Sequence, residues 1–224
     1  MNNFTQDQLK QLAAAKAVEF VPENEYIGIG TGSTVNFFIE ALGKSGKKIK
    51  GAVTTSLKSA ELMEQYEIPQ IQLNEVTRLG VYIDGADEIN HMMQMIKGGG
   101  AALLPEKIVA SLSDQFICIA DESKYVRKLG KFPLPVEVIP MARSMVARKI
   151  VQLGGQPELR IGCKTLYGNE ILDVHGLDLS EPMKMEDTLN RITGVVENGL
   201  FAHRYADLLI LAKKDGVEVI QAHV

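Results

Sequence analysis

Two patterns in the order of apolar segments predict an α/β protein, in which a Rossmann-like parallel sheet domain is joined to a smaller ferredoxin-like α+β domain. Over residues 1–130, short apolar runs of strand length alternate with helical stretches, the arrangement of a parallel sheet covered on both faces. Beyond Lys131 the order becomes strand, helix, strand, strand, helix, strand, the βαββαβ unit. Two apolar runs near the C-terminus then return to the first domain. The expected domains are 1–130 with 206–224, and 131–205. With 224 residues, 46% hydrophobic and 23% charged, the chain can bury a full core.

Each element has its own local reason. Thr5 with Gln8 three residues on is a capping-box signature, and Leu9, Leu12, Ala13 and Ala17 recur at helical spacing until Pro22, so the chain opens with a helix. A strand over 26–29, a glycine-rich turn and an amphipathic helix over 35–42 follow, with further strands expected near 52–53, 71–73, 81–83 and 116–119. The segment 131–140 holds three prolines, which fits an extended crossing segment better than a helix or a central strand. From Val136 the second domain is expected as a strand, a helix over 142–153, strands over 157–161 and 171–174, a helix over 183–191 and a strand over 195–201. The runs 208–212 and 217–220 around Asp215-Gly216 form a hairpin that rejoins the first sheet. Internal repeats and low-complexity stretches are absent.

Composition narrows the function classes. A net charge of −4 without a run of basic residues gives no electrostatic footprint for nucleic acid or membrane, so a small anionic substrate has to be caught locally. Cys118 and Cys163 have neither metal spacing nor a disulfide framework, and two buried, reduced thiols are expected. The first residues lack the layout of a signal peptide and no apolar run approaches membrane length, so the expected location is the cytoplasm.

Three loops carry the chemistry. Gly28, Gly30, Thr31, Gly32, Ser33 and Thr34 leave a strand and open a helix, where glycines admit close approach and free N–H groups favour an anion. The cluster departs from the dinucleotide fingerprint, with Ser33 in place of a glycine, and from the P-loop, which wants a lysine after Gly32. Taken alone it also fits a tight turn capped by Ser or Thr. Next, Asp84-Gly85-Ala86-Asp87-Glu88 follows the strand at 81–83; in a parallel sheet the loops at carboxyl ends of strands share one crevice, which brings these carboxylates toward Gly28–Thr34. An isolated pair of this kind would only cap a turn, and its spacing is not that of a phosphatase metal motif. Finally, Lys97-Gly98-Gly99-Gly100 carries a large ordering cost that close backbone approach to a ligand explains, and Pro105 sets Glu106 in the first turn of the following helix. There a carboxylate either complements the helix dipole at the surface or serves as a base, and Lys97 with Asp84 favours the base.

These motifs, Gly30–Thr34 (GTGST), Asp84–Glu88 (DGADE), 97–102 (KGGGAA), Glu106-Lys107, 120–124 (ADESK), 131–140 (KFPLPVEVIP) and 173–176 (DVHG), resemble the type A ribose-5-phosphate isomerases nearly end to end and in order. The resemblance implies interconversion of D-ribose 5-phosphate and D-ribulose 5-phosphate without metal or organic cofactor. It implies Glu106 as the base that moves a proton between C2 and C1, and Asp84, Asp87 and Lys97 as the groups that assist ring opening and offset the developing oxyanion. Lys10, Thr31, Gly32, Ser33, Thr34, Gly85, Ala86, Gly98, Gly99, Gly100 and Lys124 would join them in holding the sugar phosphate. It further implies a homodimer or a tetramer of dimers, with the homodimer expected here, and the charge balance above argues against nucleic acid or membrane as a partner. Two alternatives compete: a sugar-phosphate-sensing module of the kind found in transcriptional regulators, and an aminosugar-phosphate deaminase. The remaining polar candidates read as structural: His175 as a strand-end histidine, and Met92, Met93 and Met95 as packing.

Overall fold

The computed structural model describes residues 4–222. In chain order its elements are α1 (Gln6–Ala17), β1 (Tyr26–Ile29), α2 (Ser33–Ser45), β2 (Gly51–Thr54), α3 (Leu57–Gln65), β3 (Leu79–Asp84), β4 (Glu88–Ile89), β5 (Met95–Ile96), α4 (Leu103–Leu112), β6 (Ser113–Asp121) and β7 (Leu134–Val138). There follow α5 (Arg143–Gln152), β8 (Gln156–Leu159), β9 (Glu170–His175), α6 (Pro182–Asn190), β10 (Val195–Asn198), β11 (Leu200–Phe201), β12 (Leu208–Lys213) and β13 (Gly216–Gln221). They form two compact units. One comprises the described residues up to Ala86, then Pro105–Tyr125, then those from Ala206 onward; the other comprises Asp87–Leu104 and Val126–Tyr205.

The first unit is a six-stranded sheet in the order β13-β12-β6-β3-β1-β2. Every neighbouring pair is parallel except β12 and β13, the terminal hairpin. Its central strands are apolar on both faces, as strands buried on both sides must be: Phe116 to Ala120 are all exposed by 1% or less. Leu9, Ala13 and Ala17 of α1 and Phe38, Ile39 and Leu42 of α2 pack with Ile27, Ile29, Val81 and Ile83. The Thr5 cap is as the sequence predicts, with Gln8 N–H donating to Thr5 Oγ1 at 3.3 Å and Thr5 N–H to Gln8 Oε1 at 2.8 Å.

The second unit holds the antiparallel sheet β10-β7-β9-β8 with α5 and α6, the βαββαβ order, and a small sheet β11-β5-β4 of two-residue strands. Its core joins Leu134, Val136 and Val138 of β7 to Val146, Ile150 and Leu189 of the helices.

Several expectations are corrected. The strand expected at 71–73 is a single parallel bridge, Ala52 to Gln70, followed by a 3-10 turn over Leu73–Glu75. Leu134–Val138 is a central strand, flanked by β9 and β10. Pro135 is tolerated because it is only the second residue, and its carbonyl is used, accepting from Gly199 N–H at 2.8 Å. The strand expected over 195–201 breaks at Gly199 into β10 and β11, which serve different sheets. Of the cysteines, both free, Cys118 is buried but Cys163 is partly exposed, and Met92 is 57% exposed while Met93 and Met95 are core residues.

Candidate active site

In the first unit, β1 and β3 are parallel neighbours in register, Ile29 beside Ile83, so the loops leaving their carboxyl ends start side by side. Gly30 N–H donates to Ile83 carbonyl at 2.9 Å. Asp84, fully buried, then meets the Gly30–Thr34 loop: its Oδ1 accepts from Thr31 N–H at 3.1 Å and Gly85 N–H at 2.7 Å, and its Oδ2 accepts from the Tyr82 hydroxyl. Tyr82 and Asp84 are two residues apart on one strand and therefore face the same way. The Tyr82 ring, also fully buried, stacks against Phe116 with centroids 4.8 Å apart. Burial first, then the charges of Asp84 and Glu106, push its phenol well above the ordinary tyrosine value, so it keeps its proton and donates.

The loop is braced from below. Thr31 Oγ1 shares a hydrogen bond with Ser56 Oγ at 2.8 Å, and Ser59 donates to Gly30 carbonyl at 2.8 Å. Gly32, with φ of +113°, occupies the cap position of α2, a conformation that favours glycine. Neither Ser33 nor Thr34 caps the helix. They sit in its first turn, exposed and half-exposed, where hydroxyls and the positive helix end suit an anion.

The glycines of this loop do more than admit a ligand. A Cβ on Gly30 would lie 1.9 Å from Asp84 Cγ and 2.0 Å from its Oδ1, so the carboxylate occupies the space that a side chain would fill. Glu106 stands in the first turn of α4 and is 3% exposed, which rules out the surface role a helix-start carboxylate would otherwise have. Lys10 is paired with Asp7 at 3.2 Å on α1, and Lys124 ends the 3-10 turn Glu122–Lys124, whose Ser123 hydroxyl accepts from Gln6 Nε2 at 3.4 Å.

In the second unit, Asp87 opens onto β4 and its backbone N–H donates to Ile96 carbonyl at 2.9 Å. Its Oδ2 accepts from Gly99 N–H at 2.8 Å, and a Cβ on Gly99 would come within 2.6 Å of Oδ1. Each glycine loop thus seats one aspartate. Lys97 is 3% exposed, with its ammonium 5.5 Å from the centre of the Phe201 ring, a cation–π distance. Glu88, buried, binds the backbone of the segment entering β7, its two oxygens accepting from Gly130 and Phe132 N–H at 2.7 and 2.6 Å. Among the described residues, no group of three or more His, Cys, Asp or Glu side chains is arranged to hold a metal. Sequence reasoning missed Tyr82, Ser56 and Ser59; only Tyr82 left a local signal, its two-residue spacing from Asp84.

Residues 51–216 match the family model of ribose 5-phosphate isomerase A (phosphoriboisomerase A). The chain belongs to the ribose 5-phosphate isomerase A family. A curated relative in the family, ribose-5-phosphate isomerase A of Neisseria meningitidis serogroup B, is 71% identical over 216 residues, covering 96% of this chain and 97% of its own. The crystal structure of ribose 5 phosphate isomerase A from Neisseria gonorrhoeae superposes with a TM-score of 0.97 at 68% identity, covering 98% of this chain and 99% of that one. The Methanocaldococcus jannaschii enzyme superposes at 0.91 with 38% identity, covering 97% and 100%. Similarity at this coverage sets aside both the regulator module and the aminosugar-phosphate deaminase.

Proposed function

We infer that this chain interconverts D-ribose 5-phosphate and D-ribulose 5-phosphate through an enediolate, with Glu106 as the proton-transferring base. The observation that carries the assignment is a glutamate 3% exposed in the first turn of α4, in a chain of the ribose 5-phosphate isomerase A family. The C2 proton of an aldose becomes removable only when the neighbouring carbonyl oxygen meets preorganised positive charge or donors in a site screened from water. Lys97 supplies a buried ammonium for that purpose. Asp84 and Asp87, each gripped by backbone N–H groups, are fixed acceptors for the hydroxyl protons that shift during ring opening and enediolate formation. Ser33 and Thr34 at the start of α2, with Lys10 and Lys124, hold the phosphate, and Thr31, Gly32, Gly85, Ala86 and Gly98–Gly100 line the sugar.

A D-ribose-5-phosphate isomerase 37% identical to this chain, superposing at a TM-score of 0.94, is solved in complex with phospho-erythronic acid. Such a ligand joins a phosphate to a planar carboxylate, the charge pattern of a phosphorylated enediolate, which supports the same chemistry here. A cytoplasmic homodimer is part of the proposal and rests on the family resemblance. No helix among the described residues is long and apolar enough to cross a membrane.

Glu106→Gln tests the base. It keeps size and hydrogen-bonding shape but accepts no proton, so turnover should fall by about 10² to 10⁴ while ribose 5-phosphate still binds. Solvent deuterium should enter C1 or C2 of the recovered sugar phosphate with the wild type and hardly at all with the variant. Near-normal turnover in Glu106→Gln would contradict the role.

A further inference from the structure

Three consecutive glycines do not hold their own conformation. The Gly98–Gly100 segment is fixed from a distance in sequence, by Arg160, which follows β8. Arg160 Nη1 donates to the carbonyls of Gly98 and Gly99 at 3.0 and 3.2 Å. Its Nε and Nη2 are engaged by Asp173 of β9, at 2.8 Å to Oδ2 and 2.5 Å to Oδ1, and both side chains are only 20% exposed. The fork fixes the guanidinium plane, leaving Nη1 to meet both carbonyls, a task no ammonium can duplicate.

The consequence lies on the opposite side of the loop. A trans peptide is planar, so a carbonyl aimed at Arg160 sends the N–H of the same peptide unit the other way. The Gly98 carbonyl belongs to the unit whose N–H is Gly99's, and that N–H reaches Asp87 Oδ2 at 2.8 Å. By the same geometry the Gly99 carbonyl turns Gly100 N–H away from Arg160. We propose that Arg160, anchored by Asp173, is a positioning residue for the isomerisation: it orients the Gly99 and Gly100 amide donors, the first onto Asp87 and the second toward the sugar phosphate. The proposal rests on the assignment of Lys97–Gly100 to substrate.

Arg160→Lys keeps a charge opposite Asp173 but cannot maintain the fork and both carbonyls. kcat/KM should fall by about 10- to 100-fold, the scale expected of a misplaced binding element, with the melting temperature nearly unchanged. Amide hydrogen exchange followed by NMR should quicken at Gly99 at least about tenfold while amides of the core strands keep their rates. In Arg160→Met/Asp173→Leu, which removes both charges together, folding stability should be retained and kcat/KM should stay low. Wild-type kcat/KM in either variant, or unchanged exchange at Gly99, overturns the proposal. Lys97→Ala separates the two levels: full activity there would remove the loop from the reaction, whereas loss there with normal Arg160→Lys would refute the positioning role alone.

Discussion

Gly30→Ala should disable the enzyme by evicting a carboxylate. The φ of Gly30 is not in the left-handed region, so the backbone accepts an alanine and the damage comes from one methyl group. That methyl would stand 1.9 Å from Asp84 Cγ, 2.0 Å from Oδ1 and 2.4 Å from Oδ2. Carbon contacts relax only at about 3.5–4.0 Å, so the carboxylate has to retreat by roughly 1.5 Å. Asp84 is fully buried and held by Thr31 N–H, Gly85 N–H and the Tyr82 hydroxyl, so it cannot swing into solvent without breaking those bonds. A displacement of about 1 Å in a catalytic group can cost about 10²-fold in rate, and overpacking of this kind costs about 1–3 kcal/mol of stability. A coupled assay of ribose 5-phosphate conversion should therefore show a loss of at least about 10² in kcat/KM, alongside a melting temperature lowered by a few degrees. Gly46→Ala is the control, because it meets open space at φ of +74° and adds only backbone strain at the end of α2. Gly99→Ala, with its closest approach 2.6 Å from Asp87 Oδ1, should fall between the two. Gly30→Ala with near-normal kcat/KM, or Gly46→Ala with an equal loss of activity, would refute the seating of Asp84 by Gly30.

Tyr82→Phe keeps the ring packed on Phe116 and removes one donor from a buried carboxylate, an omission of about 1–3 kcal/mol, so kcat/KM should drop about tenfold or more with the fold intact by circular dichroism. Because burial and the Asp84 and Glu106 charges raise the Tyr82 phenol, its stabilising contribution is complete below about pH 10 and is lost as pH climbs through the raised folded value; melting temperatures should decline more steeply above that pH in the wild type than in Tyr82→Phe. Activity should survive exhaustive chelation if, as proposed, Lys97 supplies the electrostatics a metal would otherwise provide; loss with EDTA restored by a divalent ion would reject that. Free ribose should be a very poor substrate, and Lys124→Ala should chiefly raise KM, whereas comparable turnover of ribose would remove Lys124, Lys10 and the Ser33–Thr34 turn from phosphate binding.

Local periodicity carried most of the fold into view. The parallel strands and the βαββαβ order are written in strands of four to nine residues and helices of nine or more, each long enough to show its period. The failures have physical causes. Ile71 has a strand's apolar character, but that side chain fills the space beside Gly51, where a Cβ would approach its Cγ2 to 3.3 Å, and the segment contributes one bridge instead of a ladder. The small sheet β11-β5-β4 is built of pairs of residues, too short for any period to register. Of the candidate residues, Asp84, Asp87 and Lys97 were visible as charged residues beside glycines at strand ends and Glu106 as a carboxylate at a helix start, and the parallel order brought Asp84 to the Gly30–Thr34 loop. Arg160 was not visible, because its bonds to Gly98 and Gly99 span 62 and 61 residues and leave no local trace.

Close approach was the correct property to read from the glycines, but part of what approaches belongs to the protein itself. A buried carboxylate is costly to desolvate unless donors replace its water, and Asp84 receives them from the residue after Gly30, from the residue after itself and from Tyr82 two positions before it. Only glycine at position 30 leaves room for that geometry. GTGST and the YIDGADE stretch beginning at Tyr82 are therefore one device divided between two loops, a charged acceptor together with its enclosure, and neither half retains its chemical meaning alone. A related arrangement holds Asp87, where a single glycine, Gly99, supplies both the space and the N–H. In the proposed mechanism these carboxylates accept hydroxyl protons while Lys97 meets the developing oxyanion, and seating each one against the backbone of a glycine loop fixes where it accepts.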